Sequence, residues 1–186
     1  MKPKKKFNST LILLIILIIL GAGYYGWQYI NQRSIEEENN LVFGSLDTLL
    51  ITKIEITSPE STAILEKQNE QWLVASQNYL PADQTAINNI LSSLTQIKIK
   101  ELISTNTVKQ PDYQVDAAAI NVKLYQSENL LADFYPGKYG PLPASGFFRW
   151  QGSDNVYLVS ENLQSLFYRA DWADATAAEE AEENSQ

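Results

Sequence analysis

The chain has 186 residues, a formal net charge of −8 and an apolar content of 45%. It is long enough to bury one core of ordinary size and too apolar to be disordered throughout. It contains neither cysteine nor histidine. Disulfides, thiolate or imidazole metal sites and catalytic triads that need histidine are therefore excluded.

Charge is distributed unevenly along the chain. Lys2, Lys4, Lys5 and Lys6 precede the first apolar segment, whereas residues 31–186 hold ten basic and 22 acidic side chains. A segment with that acidic excess repels phosphate backbones. We therefore expect no binding of nucleic acid.

The segment 11–30 has no formal charge and begins with ten consecutive leucines and isoleucines. A helix of this length is about 30 Å long, which matches the hydrocarbon core of a bilayer. Aromatic residues, which favour the headgroup region, cluster at its far end: Tyr24, Tyr25, Trp27 and Tyr29. We predict a single-pass transmembrane helix over residues 11–30.

The lysines predict the orientation of this helix. The positive-inside rule keeps the basic segment 1–10 in the cytoplasm and places the rest of the chain outside. A cleaved signal peptide is the alternative, because Gly21, Ala22 and Gly23 are small residues of the kind that flank cleavage sites.

Three segments are predicted after the helix. Residues 31–46 are polar and acidic and indicate a stalk, and residues 173–186 lack large apolar side chains and indicate an acidic disordered tail. Residues 47–172 remain for one extracytoplasmic domain.

The first part of this domain favours strands followed by one helix. Residues 51–57 alternate between apolar and polar, and segments 62–66 and 72–75 flank a polar turn. Asp83 is a typical residue to cap a helix. The apolar face of that helix is formed by Ile87, Ile90, Leu91, Leu94 and Ile97.

The second part repeats this order. Segments 120–125 and 130–135 predict a hairpin, segments 147–150 and 156–159 predict two more strands, and residues 136–146 predict a loop rich in proline and glycine. Ser160 is expected to cap a short helix. The predicted fold is α+β, with an antiparallel sheet of hairpins, two packed helices and two similar halves.

This order of residues resembles the bacterial domain of unknown function 4340. The first half of that pattern is carried by Trp72-Leu73-Val74 and Tyr79-Leu80-Pro81-Ala82-Asp83. The second half is carried by Phe147-Phe148-Arg149, Val156-Tyr157-Leu158-Val159 and Asp171-Trp172. The resemblance implies a domain outside the bacterial inner membrane, held by one N-terminal anchor. Some members are similar to accessory proteins of ABC transporters, and the family supplies no catalytic residues.

The residue types give little support for catalysis. Without histidine, hydrolysis would need two carboxylates, and Asp133 is the best candidate, with Glu161 as its partner. We find no calcium loop, phosphate loop or dinucleotide motif in the sequence. We therefore expect no enzyme activity, no metal and no cofactor.

The segment from Phe134 to Trp150 is the richest local feature, because it combines six aromatic residues with prolines and glycines. Binding surfaces use that combination. The candidate partner-binding residues are Lys138, Tyr139, Arg149 and Trp150.

We therefore expect an interaction module anchored in the inner membrane, which binds a membrane or envelope protein and serves a transporter or envelope complex. The alternative is a glycan-binding or glycan-processing envelope domain, in which aromatic side chains and Asp133 contact the sugar.

Overall fold

The structure, a computed structural model, describes residues 40–169 and 171–175. The predicted cytoplasmic segment, the predicted transmembrane helix, most of the stalk and most of the acidic tail lie outside these residues. Within the part that the structure describes, no helix is long and apolar enough to cross a membrane.

In residues 40–169, nine strands form one sheet in which every neighbouring pair is antiparallel. The strands are β1 (Lys53–Thr57), β2 (Thr62–Gln68), β3 (Gln71–Val74), β4 (Leu80–Pro81), β5 (Ile99–Ser104), β6 (Asn121–Gln126), β7 (Asn129–Tyr139), β8 (Gly146–Trp150) and β9 (Val156–Val159). Two α-helices lie within the described residues, α1 (Gln84–Leu94) and α2 (Leu163–Phe167). The predicted α+β class with an antiparallel sheet is confirmed.

The sheet is arranged about a central pair, β1 and β6. Its order is β4-β3-β2-β1-β6-β7-β8-β9-β5, so two meanders run outward from the centre in opposite directions. After α1 the chain crosses over and β5 pairs with β9. After α2 it crosses back, and Ala173 forms a β-bridge with Ala82 beside β4. The outer edge of each meander thus pairs with a segment that comes after the other meander in the sequence.

The main core lies between the two helices and one face of the sheet. Ile87, Ile90, Leu91 and Leu94 are the buried residues of α1, as the periodicity predicts. They join Leu163 and Phe167 of α2 and the apolar side chains of β1, β2, β6 and β7 in one cluster. Burial of this face, at about 25 cal/mol per Å² of apolar surface, holds both helices on the sheet.

A smaller core lies on the opposite face. Its members are Val115, Tyr135, Phe147, Val156 and Leu158. Successive side chains of a strand point to opposite faces, so the neighbours of Tyr135 and Phe147, namely Phe134 and Phe148, belong to the main core. The segment 107–119 covers the second core, because Tyr113 and Ala119 pack against it.

Local sequence signals explain where α1 begins and where the hairpin of β2 and β3 turns. The Asp83 Oδ1 atom accepts a hydrogen bond of 2.9 Å from the Ala86 N–H, which caps α1 as predicted. Asn69 and Glu70 both have positive φ angles, as a tight two-residue hairpin turn requires. The predicted hairpin is therefore confirmed.

The boundary between stalk and domain lies earlier than the sequence predicts. Leu41 forms a β-bridge with Lys98, and Val42 and Phe43 are buried in the main core. The apolar segment 41–43 is only three residues long and follows the polar residues 36–40, so the sequence did not identify it as part of the core. The domain therefore includes residues that we assigned to the stalk.

Two other expectations are wrong in detail. Strand β7 continues through Pro136 to Tyr139, so only the second part of the predicted loop is irregular. Ser160 does not cap α2, whose N-cap residue is Asn162. The Ser160 hydroxyl instead accepts a hydrogen bond from the Lys98 N–H at 3.0 Å and ties the start of β5 to the end of β9.

Candidate binding surfaces

Arg149 is buried, with only 6% of its surface exposed. Its Nε atom donates to the Val115 carbonyl oxygen at 2.6 Å, and its Nη1 atom donates to the Ser153 carbonyl oxygen at 3.0 Å. The guanidinium also stacks on the Tyr135 ring at 4.2 Å. Arg149 therefore fixes the covering segment over the second core. It does not present its charge to a partner, contrary to the prediction.

Trp150 points to the opposite face and is half-buried. Its ring makes edge contacts with Phe43 and Phe148 at centroid distances of 5.2 and 4.9 Å. It also lines a cavity of about 250 Å³. We call this cavity the leucine groove, and its apolar walls are Val42, Phe43, Leu46, Leu50, Leu131, Ala132 and Trp150.

Lys138 and Tyr139 lie at the end of β7 and are exposed, Tyr139 by 66%. They begin the segment Lys138–Ser145, which we call the tyrosine loop. Leu142 is a second exposed apolar residue of this loop. Tyr139 pairs with Gly146, whereas Trp150 is four residues further along β8, about 13 Å away by the rise of a strand.

Internal hydrogen bonds hold the tyrosine loop in one conformation. The Gly140 N–H donates to the Ser145 carbonyl oxygen at 2.9 Å, and the Ser145 N–H donates to the Leu142 carbonyl oxygen at 3.0 Å. The buried Ser145 hydroxyl also donates to the Leu142 carbonyl oxygen, at 2.6 Å. These contacts leave the side chains of Tyr139 and Leu142 outside a closed turn.

Glycines attach the base of the loop to the second core. A Cβ atom on Gly137 would lie 2.6 Å from the Tyr113 carbonyl oxygen, and one on Gly140 would lie 2.6 Å from the Leu158 Cδ1 atom. The Tyr113 backbone cannot move aside easily, so position 137 needs glycine, whereas a side chain at position 140 would have to displace the side chains of Ser145 and Leu158. Of the four predicted residues, Arg149 is thus a buried anchor and Trp150 lines the leucine groove. Lys138 and Tyr139 belong to the exposed tyrosine loop.

Asp133 and Glu161 are not brought together as a carboxylate pair. The Asp133 Oδ1 atom accepts a hydrogen bond of 2.8 Å from the Asn121 Nδ2 atom, and Asp133 lies opposite Lys123 of β6. It points away from the main core, since its neighbour Phe134 belongs to that core. Glu161 packs its backbone against Gly146 instead. Among the described residues, no group of three or more acidic side chains is placed to hold a metal ion.

A polar network occupies the same open face of the sheet. The Lys53 Nζ atom lies 3.1 Å from Glu55 Oε1, and the Tyr125 hydroxyl donates to Glu55 Oε2 at 3.0 Å. Burial tends to raise the pKa of Glu55, but these two partners outweigh it and lower the pKa below its usual value. The network joins β1 to β6 and is satisfied internally, so it offers no open site.

The structure also contains a cleft of about 440 Å³ that the sequence did not predict. We call it the glutamine cleft, after Gln114 and Gln164. It is lined by Ser58, Pro59, Glu60, Gln114, Asp116, Ala118, Ala119, Ile120, Gln164 and Tyr168. These residues come from three distant segments, so no spacing in the sequence could have revealed the cleft.

The comparisons with known proteins give one match. No curated protein and no solved structure matches the chain. The family described as "Domain of unknown function (DUF4340)" matches residues 72–184, which is more than half of the chain. That range contains β3 except its first residue, β4 to β9, α1, α2, the tyrosine loop and most of the glutamine cleft. The chain belongs to the DUF4340 family.

Proposed function

We propose that this protein is an interaction module, anchored in the bacterial inner membrane with its N-terminus in the cytoplasm, that binds an envelope or transporter protein outside the membrane. The proposal is carried by the tyrosine loop, in which Tyr139 and Leu142 stand exposed on a turn closed by its own hydrogen bonds.

The chemistry of this loop suits protein binding. An exposed tyrosine offers a large contact area and loses little conformational entropy when it is bound. A loop that is already ordered also avoids much of the entropy that binding would otherwise cost. Lys138 stands beside Tyr139 and is a positive charge on a mostly acidic chain, which favours a partner with an acidic patch.

The leucine groove supports a partner in or near the membrane. Leu50 and Leu131 remain 46% and 38% exposed at its walls, where a solvated surface would carry polar residues. Its first residue, Val42, follows the predicted transmembrane helix by only twelve positions in the sequence. A transporter subunit with an exposed apolar surface would match this groove.

The test is capture of partners from detergent-solubilised membranes by the full chain. We expect Tyr139→Ala to reduce recovery of a specific partner by about 30-fold, the equivalent of an aromatic hot spot worth about 2 kcal/mol. Tyr168→Ala is the matched control, because Tyr168 is equally exposed on a different surface. Equal recovery of the partner with wild type and both variants would show that the tyrosine loop does not bind it.

The alternative function is a glycan-binding or glycan-processing domain. Processing at Asp133 has no geometric support, since that carboxylate is bonded to Asn121 on an open sheet face. Glycan binding is favoured by a different observation, the glutamine cleft, whose lining combines polar and apolar side chains.

A further inference from the structure

We infer that the glutamine cleft binds an uncharged saccharide that carries an acetamido group. The inference concerns a surface separate from the tyrosine loop and does not depend on it. The cleft lies where the turn after β1, the segment 114–120 and the end of α2 meet. Its volume of about 440 Å³ lies within the usual range for small-molecule sites, about 300–1,000 Å³.

A pair of side-chain amides supplies the first recognition element. The Gln164 Nε2 atom donates to Gln114 Oε1 at 3.0 Å, which orients both groups. The pair still has an N–H donor on one amide and a carbonyl acceptor on the other, and this holds whichever way the two amides are assigned. An acetamido group offers the complementary carbonyl and N–H.

Small apolar residues supply the second element. Ala118, Ala119 and Ile120 line the cleft together with the amide pair, and Ile120 is buried. They provide an apolar wall against which a methyl group can be desolvated. A saccharide without an acetyl group would leave this wall uncovered.

Two carboxylates determine the charge of the ligand. Glu60 and Asp116 line the cleft, and no basic side chain is among the described residues that line it. Carboxylates accept hydrogen bonds from hydroxyl groups and repel phosphates, sulfates and uronates. The lining therefore matches the hydroxyls of a neutral sugar ring.

Tyr168 supplies a platform for the sugar ring. It is 72% exposed, and its N–H donates to the Gln164 carbonyl oxygen at 2.9 Å, which fixes its backbone beside the amide pair. An aromatic face can cover the apolar C–H face of a pyranose while its hydroxyl remains in water.

The test is calorimetric titration of the full chain in detergent with N,N′-diacetylchitobiose. We expect saturable binding, a loss of about tenfold in affinity for Tyr168→Ala, and a similar loss for Gln164→Leu, as for removal of one well-placed contact. Tyr79→Ala is the matched control, because Tyr79 is also an exposed tyrosine and does not line the cleft, and this variant should bind as wild type does. Gln114→Ala repeats the test at the other amide should Gln164→Leu fail to fold.

Two further ligands make the test specific. Cellobiose has the same linkage and ring size without acetamido groups, and we expect it to bind about tenfold more weakly. Equal binding of the two disaccharides, an absence of chitobiose binding, or binding that the cleft variants leave unchanged would each overturn the inference. Spermidine binding in place of chitobiose would also overturn it, because the cleft would then be a cation site. None of these outcomes bears on partner capture through Tyr139.

Discussion

The two consecutive residues Arg149 and Trp150 contact different cores because they alternate across β8. Arg149 bonds to the Val115 carbonyl oxygen on one face, and Trp150 contacts Phe43 on the other. Both residue types are common at interfaces, so the sequence placed them in one candidate site. The partner of each lies far away in the chain, and only the fold separates the two roles.

The same reasoning predicts how Tyr139 contributes to stability. Because its side chain is largely exposed, we expect Tyr139→Ala to lower the free energy of unfolding by less than about 1 kcal/mol. Phe134→Ala is the comparison, since Phe134 is fully buried in the main core and its loss should cost about 3–5 kcal/mol. Urea denaturation measures both changes. A loss at Tyr139 as large as that at Phe134 would show that Tyr139 is structural.

Asp83 gives a prediction that depends on pH. Its carboxylate caps α1 through the Ala86 N–H and also lies 3.0 Å from the Arg169 Nη2 atom. These contacts, the capping bond first, lower the pKa of Asp83 below its usual value. Stability from the charged form is therefore fully present above the unfolded pKa of about 3.9 and is lost as the pH falls through the lower folded pKa.

Asp83→Asn isolates this charge, because asparagine caps a helix about as well as aspartate. We expect the variant to be less stable than wild type at pH 7 by up to about 1 kcal/mol, a modest value for a pair that is about one-third exposed. The difference should shrink below pH 4. Thermal melts of both proteins from pH 2 to 7 measure it, and a difference independent of pH would contradict the ionic contribution.

At the scale of elements, strongly periodic segments were predictable. The apolar face of α1 and the alternation in β1 and β6 report burial directly, because one side of each element lies against the main core. Pro136 and Gly137 obscured the end of β7 for a physical reason. Pro136 lies beyond the first residue of β6, so its missing N–H costs no hydrogen bond on that side, and Gly137 is required by the close approach of Tyr113.

Other elements were hidden because tertiary contacts decide them. The apolar segment 41–43 is very short, and only its tertiary contacts, the bridge from Leu41 to Lys98 and the burial of Val42 and Phe43, attach it to the domain. The Ser160 hydroxyl is a sound helix cap by sequence, yet it bonds to the backbone of Lys98, which is distant in the chain. The tyrosine loop could be anticipated from composition, whereas the glutamine cleft depends on how three segments assemble.

At the scale of the whole molecule, the sequence predicts a definite topology. The charges of Lys2, Lys4, Lys5 and Lys6 outweigh Arg33 on the other side of the predicted helix. A phosphatase reporter that is active only outside the cytoplasm should therefore be active when fused after Gln186. The same reporter fused before Met1 should be inactive. Activity in the opposite pattern would refute the proposed anchoring, and the intact mass of the mature protein shows whether the helix is retained.

The crossed connections of the sheet have a consequence for the order in which the domain can assemble. Strand β5 ends at Ser104, but its partner β9 begins only at Val156. Likewise, Ala82 forms its bridge with Ala173, which comes much later in the chain. In the proposed topology the N-terminus stays in the cytoplasm and the domain leaves a translocation channel in sequence order. Neither edge of the sheet can then be completed until nearly all of the chain has emerged. Contacts this distant in sequence slow folding and leave strand edges open to mispairing in the interval. The growing chain must be protected until its last segments arrive.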